Sequence, residues 1–327
     1  MSKKDKKRKK IRSLVLLLVL TIIMFSTATY AWFTANQTVT VSTLDVHVEA
    51  SNGLQISTNA SEWKTVITNA DITAGYAGAK NMVPATLNAV STDGTVSESE
   101  LNMYKGVVGS DAQTGEYTIT AAKSAAKAGS TGDYIAFDMF LRVDQAQTIY
   151  LTTSSNVIAK EGTEDKGLKN AARVGFVTLG NASSETAAGT LQALNTPAAT
   201  AIIWEPNADT HTARGNASAI EYGITVDDKT NRTGYFGLKQ EIANPTKLKD
   251  AMNGTDKTNT AEVTPSVVTP EAYAGAYQQV VRLEAGVTKI RVYMWVEGQD
   301  VDCENNASGT DISYNVQLST QSSAAGN

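Results

Sequence analysis

Few residues in this chain have the types and spacing that chemistry needs. Two histidines, His47 and His211, and a single cysteine, Cys303, exclude a centre rich in His and Cys ligands. The chain contains no His-Glu-x-x-His pair, no Gly-x-Ser-x-Gly elbow and no phosphate loop. Ser124-Ala-Ala-Lys127 has the Ser-x-x-Lys spacing in which a lysine activates a serine, but the companion motifs of that enzyme class are missing. The densest constellation follows Trp295-Val296-Glu297-Gly298, where Asp300, Asp302 and Glu304 alternate and the amides Asn305 and Asn306 come next. Oxygen-only donors of this kind suit Ca²⁺, which makes these three acids the candidate metal ligands. A calcium loop also needs a glycine within the turn and a later bidentate acid, and neither is in place. The ordinary expectation is therefore a solvated acidic hairpin turn with no cofactor. Cys303, inside that turn, reads as a packed thiol, because acidic neighbours raise a thiol's pKa. No catalytic residue is expected, and the chain reads as a non-enzyme.

The elements that would carry these residues are strands. In Leu44-Asp45-Val46-His47-Val48-Glu49-Ala50 the even positions are apolar and the odd ones polar, which places His47 on a wet face. Ile135, Phe137, Met139, Leu141 and Val143 form a second one-sided row, and Tyr314, Val316 and Leu318 another. In the row Ile290, Val292, Met294 and Val296, the alternate residues Lys289, Arg291, Tyr293 and Trp295 are expected on a wetter face, as in an antiparallel sheet. Shorter strand candidates recur between turn residues, at 54–57, 64–68, 117–120, 150–153, 174–179, 201–204 and 279–283. The Ala/Lys-rich stretch 121–128 predicts a short helix. From about 181 to 273 the chain is rich in Ala, Thr and Asn, and reads as a long insertion within one domain spanning 44–327. The fold class expected is all-β: an antiparallel β-sandwich of jelly-roll type with that less regular insertion, preceded by an N-terminal signal helix.

The N-terminus gives the clearest address. Residues 1–13 carry eight Lys/Arg and one acid, Leu14 to Phe25 is apolar but for Thr21, and small or polar residues follow up to Ala31. That order is a secretion signal, with Thr29 and Ala31 at the cleavage positions and signal peptidase as the export partner. The rival is an uncleaved anchor, because the stretch approaches the ~20 residues that span a bilayer. The chain has 28 basic and 33 acidic residues, of which eight and one lie in 1–31, so the remainder carries 20 against 32 and a net charge of −12. Nucleic acid is disfavoured as a partner, and the membrane is touched only through the N-terminal segment if that stays uncleaved. One cysteine in an exported chain points to a Gram-positive bacterial surface rather than a disulfide-rich secreted domain. Seven Asn-x-Ser/Thr triplets follow from a composition rich in those residues and carry no argument for glycosylation.

Between the signal and the first strong strand the pattern slips. Val39 and Val41 are apolar at odd positions, whereas from Leu44 onward the apolar residues are even. A one-residue shift flips a strand's faces, so a bulge falls near Ser42-Thr43, or residues 32–43 form a separate arm carrying Trp32, Phe33, Val39 and Val41. The stretch Ala28-Thr29-Tyr30-Ala31-Trp32-Phe33, with Thr38-Val39-Thr40-Val41 and Ser42-Thr43-Leu44-Asp45-Val46, resembles the start of the TasA/camelysin-like exported proteins of Gram-positive bacteria. The resemblance covers residues 28–50 and implies a jelly-roll subunit of a biofilm-type fibre. In such a fibre the arm of one copy completes the sheet of the next, by self-association through strand addition. Some of those relatives are described as proteases, but no zinc motif carries that activity over. The alternatives are an anchored or monomeric adhesin, with the insertion as its binding surface, and more distantly a secreted hydrolase.

Overall fold

The computed structural model describes residues 46–51, 53–84, 87–125, 127–129, 132–226, 234–268, 277–304 and 310–322. The signal, the cleavage positions Thr29 and Ala31, the arm residues Trp32, Phe33, Val39 and Val41, and the slip at Ser42-Thr43 all lie outside the described residues.

Strands dominate. In chain order they begin with β1 (Val46–Ser51), β2 (Gln55–Ser57) and β3 (Val66–Ile67), then helix α1 (Asn69–Ala74) and β4 (Asn81–Met82). The short hairpin β5 (Val96–Ser97) and β6 (Glu100–Leu101) leads into the long hairpin β7 (Met103–Ser110) and β8 (Tyr117–Ser124). Next come β9 (Ile135–Val143), β10 (Gln147–Leu151), β11 (Asn156–Ala159) and β12 (Ala172–Ala182). The middle of the chain supplies α2 (Ala188–Gln192), β13 (Ile202–Glu205), α3 (Ala213–Tyr222), β14 (Tyr235–Leu238), β15 (Ile242–Lys247), α4 (Leu248–Met252), β16 (Thr260–Val263) and β17 (Val267–Val268). It closes with β18 (Gln278–Leu283), β19 (Gly286–Val296) and β20 (Ile312–Ser319).

Two sheets share one core. The first runs β18-β10-β20-β1-β3, with β11 also on β20; the second runs β17-β13-β12-β19-β9-β2, with β4 on β9. The inward rows Val48, Ala50, Ile149, Leu151, Tyr314, Val316 and Leu318 of the first meet Ile135 to Val143, Val174, Phe176 and Ile290 to Val296 of the second. The apolar rows read from alternation are thus the buried rows. The sheets are not purely antiparallel, however: β1 pairs with β20 in parallel along all its six residues, and β13 pairs with β17 in parallel.

The second sheet is buried on its other face as well. Every residue of β19 is buried, including Lys289, Arg291, Tyr293 and Trp295, so the expected wet face does not exist. Tyr293 and Trp295 pack with Ala136, Val177, Leu179, Val90, Leu101, Met103 and Val263 in a second apolar cluster. The cover is built from the sheet β15-β8-β7 and the two-stranded sheet β14-β16, with α3 and α4 joining them in a third cluster. It draws on both 87–124 and the middle of the chain, and β13 of that middle extends the second sheet itself. The helix expected at 121–128 is instead the end of β8. Its residues bond to β7 on one side and β15 on the other, and these sheet partners outweigh the helical propensity of Ala and Lys.

Candidate functional site: charges beneath the cover

Alternation along β12 sends Val174 and Phe176 to the main core and Arg173 towards the cover, where its side chain is 1% exposed. Its guanidinium donates from Nη1 to the carbonyls of Asn170 (2.9 Å) and Ala172 (3.0 Å), and from Nη2 to Asp300 Oδ2 (2.7 Å). The same nitrogen pairs with Glu205 at the end of β13, and the group lies 5.5 Å from the centre of the Tyr235 ring. Burial alone would lower its pKa, but Glu205 and Asp300 raise it above the ordinary arginine value, so it stays charged.

The acidic turn folds onto this arginine instead of into water. Asp300, Asp302 and Glu304 are 5%, 2% and 6% exposed, which overturns the expected solvated hairpin. Asp302 accepts four hydrogen bonds: from Thr212 N (3.0 Å) and Thr212 Oγ1 (2.7 Å) on Oδ1, and from Asn170 Nδ2 (3.1 Å) and His211 Nδ1 (3.0 Å) on Oδ2. Thr212 caps α3, its Oγ1 accepting from Gly215 N at 2.9 Å, so the turn is held at the positive end of that helix. Glu304 turns to Arg214 and to Ser218 Oγ (3.0 Å) on the same helix. Of the three candidate calcium ligands, only Asp300 and Asp302 come together, and their companion is His211: one ligand atom from each lies within 4.8 Å of the others. No family model, curated protein or solved structure matches this chain.

The electrostatics follow from burial. Desolvation pushes Glu297 up to about 7, against hydrogen bonds from Ser91, Trp295 Nε1 and the backbone of Gln299 that favour its ionised form. His211 is opposed by burial, yet its bond to Asp302 and the charges of Asp300, Asp302 and Glu205 raise it above the ordinary histidine value. Cys303 is packed in the main core, and burial, followed by its acidic neighbours, drives its thiol well above the usual range. It is an inert thiol, as its neighbours predict. Ser124 donates its hydroxyl to Asp133 Oδ2 at 2.9 Å, while exposed Lys127 lies beyond the end of β8. Of His47 only the backbone register is described, opposite Asn315.

A second buried charge group sits on the same outer face of β9 and β19. Asp138 accepts from Arg291 Nε (2.7 Å) and from Tyr76 Oη (2.6 Å), with Lys289 Nζ at 3.5 Å. Lys289 donates to the carbonyls of Gln192 (2.6 Å) and Leu194 (3.2 Å), and Arg291 Nη1 to that of Ser99 (2.9 Å). Burial would raise Asp138, but Arg291, Tyr76 and Lys289 together hold it below the ordinary carboxylate value; burial keeps Lys289 low despite Asp138. These groups floor a polar cleft of about 440 Å³ whose rim includes the Lys80–Glu100 pair (2.5 Å). Arg173, His211, Arg214 and Asp138 carry no sequence motif. The legible signal was the placing of Lys289 and Arg291 in the middle of the strongest strand, between bulky apolar residues.

Proposed function

We propose that the chain is an extracellular structural subunit, exported to a Gram-positive type surface, that assembles into filaments by strand addition of its N-terminal arm. The observation that carries this is the layout of the first sheet. The proposed arm precedes β1 in sequence, and β1 lies beside the edge strand β3, which registers only with Val48 and Glu49. The opposite edge is β18, whose one pairing among the described strands is with β10. A donor at one edge and an acceptor at the other make a head-to-tail contact, which grows an open fibre rather than closing a dimer. Backbone hydrogen bonds would supply the affinity, and side chains alternating along the arm the register. The resemblance of residues 28–50 to fibre-forming exported proteins, and the jelly-roll form it implies, belong to this proposal. The reading assigns no catalytic step.

Deletion of residues 32–43 is expected to abolish fibres seen by negative-stain microscopy and to leave a folded monomer by circular dichroism. Fibres of unchanged length would refute the assembly role. The polar cleft above Asp138 favours a second reading, an adhesin or binding module for a small polar ligand. Saturable binding on a glycan array, lost when Tyr76 and Lys80 are replaced, would support it.

A further inference from the structure

The group around His211 has one unmatched nitrogen and, among the described residues, more carboxylates than cations. His211 Nδ1 is engaged with Asp302 Oδ2 at 3.0 Å, while its Nε2 is buried with no hydrogen-bond partner, on a side chain only 9% exposed. A cavity of about 40 Å³ lies beside it, walled by His211, Asp300, Glu205, Arg173 and Tyr235. His211 is part of that wall and Asp302 is not. Among the described residues Glu205 and Asp300 share the guanidinium of Arg173, Asp302 pairs with His211, and Arg214 is paired with Glu304. With a neutral imidazole, three carboxylates stand against one guanidinium among the described residues of this group. Buried carboxylates crowded in this way favour a bound cation beside them.

We infer that His211 Nε2 and Asp300, with Glu205 on the same wall, form a site for one divalent transition-metal ion, and that Asp302 is the positioning residue that holds the imidazole. A metal-bound histidine commonly donates its other ring N–H to a carboxylate, and here Nδ1 faces Asp302 in that way. One nitrogen donor with carboxylate oxygens suits Zn²⁺ or a neighbouring first-row ion. Ca²⁺, which takes six to eight oxygens, has neither the ligands nor the room. A cavity of this size has space for the ion and about one or two waters. The ion would be structural, joining the head of α3 and the acidic turn to the end of β13. This inference does not depend on the assembly role.

The test is calorimetric titration of the full chain, freed of metal by chelator, with Zn²⁺ and separately with Ca²⁺. One equivalent of Zn²⁺ is expected to bind saturably and raise the melting temperature, with no matching Ca²⁺ response. Because the chain has only two histidines, His211→Ala should abolish binding and His47→Ala should preserve it. Asp302→Asn should weaken binding by ~10- to 100-fold. Pulsed electron paramagnetic resonance of the Cu²⁺-loaded His47→Ala protein should show the remote nitrogen of a bound imidazole, which needs no variant at the site itself. Absence of saturable Zn²⁺ binding, undiminished binding by His211→Ala, a preference for Ca²⁺, or no imidazole coupling would each overturn the inference.

Discussion

Asp138 shows how a single carboxylate can hold a strand interior together. It lies between Arg291, Lys289 and Tyr76 on the covered face of the second sheet, 3% exposed. Removing its charge leaves two cations buried with their counter-ion gone, so Asp138→Asn is expected to cost about 3–5 kcal/mol near neutral pH. The pH dependence has a definite sign. A carboxyl held below its ordinary value in the folded state binds fewer protons there than in the unfolded chain, so its stabilisation is present above about pH 4 and is lost as pH falls. The gap between wild type and Asp138→Asn in urea unfolding should therefore narrow from pH 7 to pH 3. A gap that stays constant would mean that Asp138 is not held ionised by its neighbours. Glu297 contributes the opposite slope: raised to about 7, it withdraws stability as pH climbs from its ordinary value towards that figure.

At the scale of elements, α3 and the acidic turn are fitted to each other through a glycine. A Cβ at Gly215 would stand 2.2 Å from Asp302 Oδ1 and 3.1 Å from the Val301 carbonyl. Alanine in a helix normally stabilises relative to glycine, yet Gly215→Ala is expected to destabilise by about 1–3 kcal/mol, because the turn must withdraw from Thr212. A higher denaturation midpoint for this variant would show that α3 does not dock on the turn. The same elements mark what could be read from residues alone. The apolar rows of β1, β9, β19 and β20 were legible, since a period of two exposes them directly. The second buried face was not: Lys289 and Arg291 look like solvent-facing residues until Asp138, some 150 positions earlier, is placed beside them. The acidic turn was legible as a cluster but misleading as to burial, because its counter-charges Arg173, His211 and Arg214 come from distant strands and a helix. The Ala/Lys stretch at 121–128 failed for a third reason, since strand partners on both sides override local propensity.

For the whole molecule, the body is a three-layer arrangement of two sheets and a cover, with β1 beside one edge strand of the first sheet and β18 at its opposite edge. If that geometry joins copies in a line, a soluble peptide of residues 32–43 in excess should occupy acceptor edges and stop growth. Fibre lengths measured by electron microscopy are expected to shorten with peptide concentration, whereas a scrambled peptide leaves them unchanged. Equal lengths with both peptides would exclude the arm as the joint.

The position of β20 bears on how such a chain acquires its fold. It lies between β1 on one side and β10 and β11 on the other, and it bonds residues separated by more than 260 positions, as in Ser51 Oγ to Leu318 O. Contacts of such long range are slow to form, because the loop they close must be ordered first. A polypeptide leaving a cell N-terminus first would thus have no completed first sheet until residues 312–319 had emerged. Were the chain exported in that way, its folding would be deferred to the far side of the membrane, and the chain would stay threadable for as long as it had to be threaded.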